Sequence, residues 1–113
     1  MGMTENLEAL LASGQDNALL RFTLGSALFK KGDTQHALEH LQVAVAQDPA
    51  YSAAWKIYGK ALHASGDRDA AEQAFITGIT AAERKGDIQA AKEMQVFLRR
   101  LQRNDKSKTD GDN

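Results

Sequence analysis

The sequence predicts an all-α protein built from stacked antiparallel helix pairs. One observation is a stretch in which Trp55, Tyr58 and Leu62 recur at helical spacing and so share a helix face, before a helix stop at Gly66 and a capping residue at Asp67. A second observation is that this pattern also occurs 34 positions earlier. The composition agrees, because 42% hydrophobic but only 6% aromatic residues indicate a core of Ala and Leu.

Gly59 lies in the middle of the first of these helices, where glycine costs roughly 1 kcal/mol relative to alanine. The best reason for it is a partner helix that approaches too closely for a β-carbon. Ala71 and Phe75 are four residues apart on the next helix and can face Gly59. We therefore expect a tight antiparallel pair, with Trp55 largely buried between its helices.

Shifting the sequence by 34 positions aligns two copies of this pair. Gly25 falls on Gly59, and Gly32-Asp33 falls on Gly66-Asp67. The remaining matches in residue character are Ala27 with Ala61, Leu28 with Leu62, Ala37 with Ala71, Leu24 with Tyr58, Leu41 with Phe75, and Val45 with Ile79. A two-helix unit with this period resembles the tetratricopeptide repeat (TPR).

The resemblance covers residues 18 to about 85, most of the chain that is expected to be ordered. Its second copy carries the family's Trp, Gly, Ala and Phe, at Trp55, Gly59, Ala71 and Phe75. Pro49 matches the proline that ends a repeat, whereas Arg21 and Glu83 depart from the pattern by occupying the Trp and Pro positions of the other copy. The resemblance implies a right-handed α-solenoid of two repeats with a capping helix at each end.

The predicted elements form one domain, residues 1–103. A short helix over about 4–13, with Thr4 as its cap, has an apolar stripe and is too short to be a repeat. It is expected to cover the N-terminal end of the stack, since stacked helix pairs need their open ends covered. The first repeat is expected over about 18–51 and the second over about 52–85.

A C-terminal helix is expected over about 87–103. Gly86-Asp87 precedes it, twenty residues after Gly66-Asp67 and out of register with the repeat. Its apolar stripe comprises Ile88, Ala91, Met94, Leu98 and Leu101. Two interpretations stay open, a helix that caps the stack and a helix that pairs with its copy in a dimer. Residues 104–113 contain no apolar side chain and are predicted to be a disordered tail.

Charge and composition narrow the class of protein. A net charge of -1 argues against a general attraction to nucleic acid or to anionic membranes. The chain has no cysteine, so disulfide and thiolate chemistry are excluded. No apolar run approaches the length of a membrane span, and the N-terminus lacks a signal-peptide pattern. A cytoplasmic protein is the expectation by elimination.

One motif points to metal chemistry. His36, Glu39 and His40 fit H-x-x-E-H, a zinc-peptidase pattern with two histidines one helical turn apart. A catalytic zinc also needs a third protein ligand and a dry cleft. The repeat's own packing already uses the neighbouring apolar positions, so both histidines are expected beside the buried stripe and facing solvent. A zinc-dependent hydrolase is therefore kept as a remote alternative, and no metal site is predicted.

Other enzyme chemistry has no sequence support. No nucleophile elbow and no glycine-rich phosphate loop are present. The Gly-Asp pairs are explained as helix stops and caps, because each divides two amphipathic runs. We predict that the protein is not an enzyme and uses no cofactor.

A binding surface is the stronger prediction. In TPR proteins the first helices of successive repeats line a concave groove that holds a peptide or a partner helix. The matching positions in this sequence are Phe22, Ser26, Phe29, Lys30, Lys56, Ile57, Lys60 and His63. Lys56, Lys60 and His63 share one helix face and form a basic strip, which could equally be an ordinary solvated lysine face. Phe22 and Phe29 line an open groove or are covered by a neighbouring helix.

These observations predict a protein–protein interaction module whose partner is a protein or peptide, with no nucleic acid and no membrane. The TPR subclass that grips chaperone C-termini is disfavoured, because the corresponding positions hold Phe22, Ser26, Ile57 and Asp87. The alternative is a structural unit that self-associates through the groove or the last helix. The chain is expected to be a monomer or a weak homodimer.

Overall fold

A computed structural model describes residues 2–111, and side chains as far as Arg103. The described residues form six α-helices and no strand: α1 (Met3–Ala12), α2 (Ala18–Lys30), α3 (Thr34–Gln47), α4 (Ser52–Ala64), α5 (Arg68–Lys85) and α6 (Ile88–Gly111). The predicted all-α stack is confirmed. None of these helices is both long and apolar enough to cross a membrane.

The boundaries of the helix pairs follow from local chemistry. Gly32 and Gly66 have φ angles of +89° and +92°, a conformation that side chains disfavour, so each is a natural helix stop. Asp33 and Asp67 then cap the next helix, because their carboxylates accept hydrogen bonds from the backbone N–H groups of the residues three positions later. Both Gly-Asp pairs therefore act as predicted.

The first helix begins differently from the prediction. Thr4 does not cap α1, since the helix starts at Met3 after Gly2. Its side chain is buried, and the Lys31 Nζ atom donates to its hydroxyl oxygen at 3.2 Å. Thr4 thus ties α1 to the turn that follows α2.

In each pair the two helices pack closely against one another at a glycine. A β-carbon on Gly59 would lie 2.5 Å from the Phe75 ring, and one on Gly25 would lie 2.7 Å from the Leu41 side chain. Phe75 and Leu41 are almost completely buried. The glycines therefore exist to admit these side chains, as the mid-helix position of Gly59 predicts.

Trp55 packs against two core clusters between the helices, as expected, but its burial is not complete. Its indole N–H donates to the Pro49 carbonyl at 2.8 Å, which holds one edge of the ring at the surface turn before α4. The ring centroid lies 6.2 Å from that of Tyr58, and the two line a hollow against α5. The fully buried aromatic of this pair is Phe75 instead.

The last helix takes the place of the first helix of a third pair. α5 has 18 residues where α3 has 14, and the loop after α5 is two residues shorter than the loop after α3, so α6 starts two positions later than the period of 34 requires. Asp87 caps α6 by accepting from the Ala90 N–H, and Met94 packs fully buried against Gly78 of α5. The register offset is therefore absorbed inside α5, and α6 packs on α5 and α4.

The structure continues α6 to Gly111, through most of the segment 104–113 for which the sequence predicts a disordered tail. Leu101 is the last buried residue among the described side chains of this helix, which end at Arg103. Extending an existing helix requires no new nucleus, so the backbone can continue as a helix beyond that residue. Residues 112 and 113 of the predicted tail lie outside the described residues.

Candidate functional site

The helices form two layers that differ in spacing. The Cα atoms of α2 approach those of α4 within 8 Å, and so do those of α4 and α6, whereas within the described chain no Cα atoms of α3 and α5 come that close. A stack whose first helices approach one another more closely than its second helices curves with the first helices inside. We call α2, α4 and α6 the inner helices and their shared surface the inner face.

A cavity of about 260 Å³ opens on the inner face where α4 and α6 meet. We call it the seam cavity. Its lining comprises Phe29, Lys60, His63, Ala64, Phe75, Phe97, Arg100 and Leu101. The cavity therefore combines apolar walls from four helices with cationic side chains and a histidine, and none of the described carboxylates lines it.

Phe97 organises the charged side of the seam cavity. Its ring stacks on Phe75, with the two centroids 5.6 Å apart and the planes 11° from parallel. The Lys60 Nζ atom lies 5.2 Å from the Phe97 centroid and the Arg100 guanidinium carbon lies 5.8 Å from it. Cation–π attraction holds both cations near the ring and leaves their remaining N–H donors available to a ligand.

Lys56 belongs to the internal structure of this surface. Its Nζ atom lies 2.7 Å from the Glu93 carboxylate of α6, and this hydrogen bond lowers the pKa of Glu93. The predicted basic strip of Lys56, Lys60 and His63 is therefore partly neutralised by α6. Lys60 remains as the cationic residue of this strip that is not paired with Glu93.

The other predicted groove residues divide between packing and exposure. Phe22 packs against Tyr51, with ring centroids 4.9 Å apart, and Ile57 packs beside the core of the first pair. Both are partly buried, as is Ser26, whose hydroxyl oxygen has no hydrogen-bond partner within the described part of the chain. Lys30 is exposed, and His63 is an exposed residue at the seam cavity. Phe29 contributes to both the core and the cavity wall.

Sequence reasoning missed the contribution of α6 to the site. Phe97 and Arg100 lie beside the apolar stripe that was assigned to this helix, which was given no groove position. The period of 34 finds Phe97, because it lies 34 residues after His63. Counting from each N-cap finds Arg100, because it occupies the position of Lys30 in α2.

The H-x-x-E-H motif is divided between two environments. His36 is exposed, and the Asp33 carboxylate 2.8 Å from its Nδ1 atom raises the pKa of His36. His40 is half-buried, so the expectation that both histidines face solvent is wrong for it. Burial lowers the pKa of His40, and Arg21 Nη1 lies 3.1 Å from its Nδ1 atom. Arg21 also forms an ion pair with Asp16, 2.8 Å away, so the Trp position of this pair holds a polar network.

No metal centre is assembled around these histidines. Among the described residues, no three side chains of His, Cys, Asp or Glu come together in an arrangement that could hold a metal ion. The Nδ1 atoms of His36 and His40 are each occupied by a different partner, Asp33 and Arg21. The motif is accounted for by helix capping and by contact between α2 and α3.

The chain was compared with known families and structures. Residues 28–94 match the family model of the tetratricopeptide repeat. The chain belongs to the tetratricopeptide repeat family. A TPR repeat-containing protein of Pseudomonas aeruginosa is 55% identical over 101 residues, which are 89% of this chain and 96% of that protein.

Solved TPR-type structures agree with the fold. A protein of Bordetella parapertussis, solved in solution, is 52% identical with a TM-score of 0.81, covering 93% of this chain and 91% of that one. PcrH, crystallised in complex with the chaperone binding region of PopD, has a TM-score of 0.84 at 17% identity, covering 90% of this chain and 77% of PcrH. At that identity the likeness to PcrH concerns the fold alone.

Proposed function

We propose that this TPR protein is an interaction module that binds a segment of a partner protein along the inner face. The observation that carries the proposal is the seam cavity, which offers apolar walls beneath cationic side chains. PcrH, a protein of the same fold, is itself solved with a segment of another protein. The inner face combines concavity, apolar area and fixed charge.

The distribution of charge indicates the chemistry of the partner. Although the whole chain has a net charge of -1, the inner helices between Ala18 and Arg103 carry one carboxylate, Glu93, and Lys56 already binds it. Lysine and arginine are otherwise the charged residues of these helices. A segment with acidic residues beside an apolar anchor complements this surface. The anchor supplies most of the affinity, and the charges govern specificity and the rate of association.

The residues proposed for binding follow from this geometry. Phe29 and Ala64 would contact the anchor, together with the apolar walls contributed by α5 and α6, while Lys60 would contact an acidic group. His63 and Lys30 extend the charged rim. Phe22, Ser26 and Ile57 remain proposed contacts on the neighbouring part of the inner face, and Lys56 is proposed to act indirectly by holding α6 in place.

The test begins by identifying a partner with a pull-down and mass spectrometry. The partner is then titrated calorimetrically against the wild-type protein and the variant Lys60→Glu/Arg100→Glu at two salt concentrations. We expect the variant to bind about tenfold more weakly or worse at low salt, a loss of about 1.4 kcal/mol, with the difference shrinking at high salt. Arg84→Glu/Lys85→Glu is the matched control, since it makes the same charge change on α5.

A second variant separates the anchor from the charges. Ala64 is exposed at the rim of the seam cavity, so Ala64→Trp fills the cavity without altering charge. We expect it to weaken binding at both salt concentrations while leaving the melting temperature nearly unchanged. Unaltered affinity in both the Ala64→Trp and the Lys60→Glu/Arg100→Glu proteins would refute binding at the inner face. A cytoplasmic location and the lack of nucleic-acid or membrane partners belong to the proposal as further predictions from the sequence.

A further inference from the structure

The contact between α4 and α6 is made by two charged side chains of α4. Lys56 lies 2.7 Å from the Glu93 carboxylate, and the Lys60 Nζ atom lies 5.2 Å from the centre of the Phe97 ring. Each residue of α6 follows its partner on α4 by 37 positions, so the two helices run in the same direction. α4 therefore holds the next inner helix by an acidic residue and an aromatic residue that are one helical turn apart.

α6 presents the same positions with nothing on them. The first residue of α6 follows the first residue of α4 by 36 positions, so Lys92 corresponds to Lys56 and Val96 corresponds to Lys60. Lys92 is exposed, and Val96 is 40% exposed. The helices of the described chain that pack on α6 are α4 and α5. Beyond the described side chains the backbone continues α6 as far as Gly111, so it does not turn back over these positions.

The exposed positions form a basic row with one apolar member. Arg99 and Arg103 are also exposed, and their spacing places them on the same stripe of α6 as Lys92 and Val96. We call these four residues the free row. The one carboxylate among the described side chains of α6 belongs to Glu93, which faces α4 instead. The free row therefore calls for a ligand with several negative charges around an apolar group.

We propose that the free row is a docking surface for a helix of a partner protein, which lies on α6 as α6 lies on α4. By analogy with the contact between α4 and α6, the docked helix runs parallel to α6. It carries an acidic residue opposite Lys92 and an apolar residue four positions later, opposite Val96. Acidic residues seven and eleven positions after the first face Arg99 and Arg103, because parallel helices keep the same spacing.

This arrangement selects against a second copy paired through its own α6, since Lys92, Arg99 and Arg103 would then oppose identical charges. The docked helix does not use the seam cavity. The proposal is therefore independent of the partner segment proposed for the inner face.

The probe for the test is a synthetic alanine-rich helical peptide of about 16 residues, blocked at both ends. It carries the acidic and apolar pattern described above, with glutamate at the three acidic positions and phenylalanine at the apolar one. A control peptide of the same composition has these four residues spread around the helix, so that they share no face. Fluorescence anisotropy of each labelled peptide is measured with the full chain. We expect the patterned peptide to bind with a Kd below about 1 mM, and more weakly as salt is added.

Charge reversal on the protein tests the pairing. Lys92→Glu/Arg99→Glu should weaken binding of the patterned peptide at least about tenfold. A peptide in which lysine replaces the glutamates opposite Lys92 and Arg99 should bind this variant better than it binds wild type. Arg84→Glu/Lys85→Glu makes the same charge change on α5 and should bind the patterned peptide like wild type. Circular dichroism melting verifies that each variant is folded.

NMR spectra of the full chain, labelled with nitrogen-15, locate the bound peptide. The backbone resonances of Lys92, Val96 and Arg99 should shift, while those of Lys60 and His63 at the seam cavity should change little. Normal binding of the patterned peptide to Lys60→Glu/Arg100→Glu would support a site separate from the one on the inner face.

Several results would overturn the proposal. One is the absence of binding up to about 1 mM peptide, and another is equal binding of the patterned and control peptides. A third is a peptide that shifts Lys60 and His63 and loses affinity only in Lys60→Glu/Arg100→Glu, which would assign it to the inner face. A fourth is light scattering that shows dimers of the wild-type chain but not of Lys92→Glu/Arg99→Glu, which would assign the free row to a second copy.

Discussion

The two helix pairs share a backbone arrangement but fill it with different chemistry. In α2 and α3, Arg21 reaches Asp16 and His40 through polar contacts. At the positions 34 residues later in α4 and α5, Trp55 and Ala74 line an apolar hollow. The glycine contact is the same in both pairs, at Gly25 and Gly59. The comparison shows that close approach at the glycine fixes how two helices pair, while the flanking position accepts either a charge network or an indole.

The largest expected effect on stability tests the glycine contact that the two helix pairs share. Gly59→Leu should lower the free energy of unfolding by about 2–3 kcal/mol because the new side chain collides with the buried Phe75 ring, although leucine is the better helix former. Gly25→Leu should destabilise the protein as well, since the added side chain meets the buried Leu41 side chain and the Ala37 carbonyl oxygen. Urea denaturation measures both.

The control for the glycine variants is Ala46→Leu, which adds the same side chain at an exposed helix position. It should change stability by less than about 0.5 kcal/mol. Equal stability of Gly59→Leu and wild type would show that the close approach of α4 and α5 does not determine their pairing.

An intermediate effect is expected at the position where the two helix pairs differ, which holds Arg21 in the first pair and Trp55 in the second. Trp55→Ala should cost about 2 kcal/mol, less than for a fully buried aromatic, because the ring is only partly buried. Arg21→Ala should cost about 1 kcal/mol or less, since its ion pair is partly exposed to solvent. Thermal or urea unfolding of the two variants measures how much more stability Trp55 contributes to the second pair than Arg21 contributes to the first.

Replacing polar residues of the first helix pair by their counterparts from the second pair sharpens the same comparison. The double variant Arg21→Trp/His40→Ala places the residues of the second pair into the first. If the two pairs are interchangeable frameworks, it should recover the stability lost in Arg21→Ala. A double variant less stable than Arg21→Ala would mean that the first pair is specifically shaped for its polar network.

The smallest effect concerns the histidines of the first pair, whose counterparts in the second pair are Ala70 and Ala74. His36, with a pKa raised by Asp33, contributes stability that is fully present below pH 6.5 and is lost as pH rises through its folded pKa. His40, with a pKa lowered by burial, contributes stability that is present above pH 6.5 and is lost as pH falls through its folded pKa. The two contributions therefore oppose each other around this pH.

Proton NMR titration of the two imidazole rings checks these directions. The His36 resonance should titrate above pH 6.5 and that of His40 below it. Asp33→Ala should return the His36 midpoint toward its ordinary value and leave His40 nearly unchanged. Two rings with the same midpoint would contradict the division of the H-x-x-E-H motif into two environments.

Much of the fold follows from the sequence because its signals are local or periodic. Glycine followed by aspartate ends one helix and caps the next through contacts within three or four residues, and the sequence places Gly32-Asp33 and Gly66-Asp67 correctly. The glycine at the centre of each first helix likewise predicts close approach without knowledge of the partner helix. The period of 34 holds across α2 and α4, so the sequence also aligns the equivalent positions of these two helices.

The tertiary structure alone decided which of the predicted groove residues are available to a binding partner. Lys56 is neutralised by Glu93, 37 positions later, and Phe97 and Arg100 complete a cavity begun by Phe29 on another helix. The exposed edge of Trp55 and the burial of His40 also depend on neighbours remote in the chain. Helix periodicity assigns a side chain to a face, but its charge state and exposure depend on what packs against that face, and that is set by the length of α5 and the resulting placement of α6.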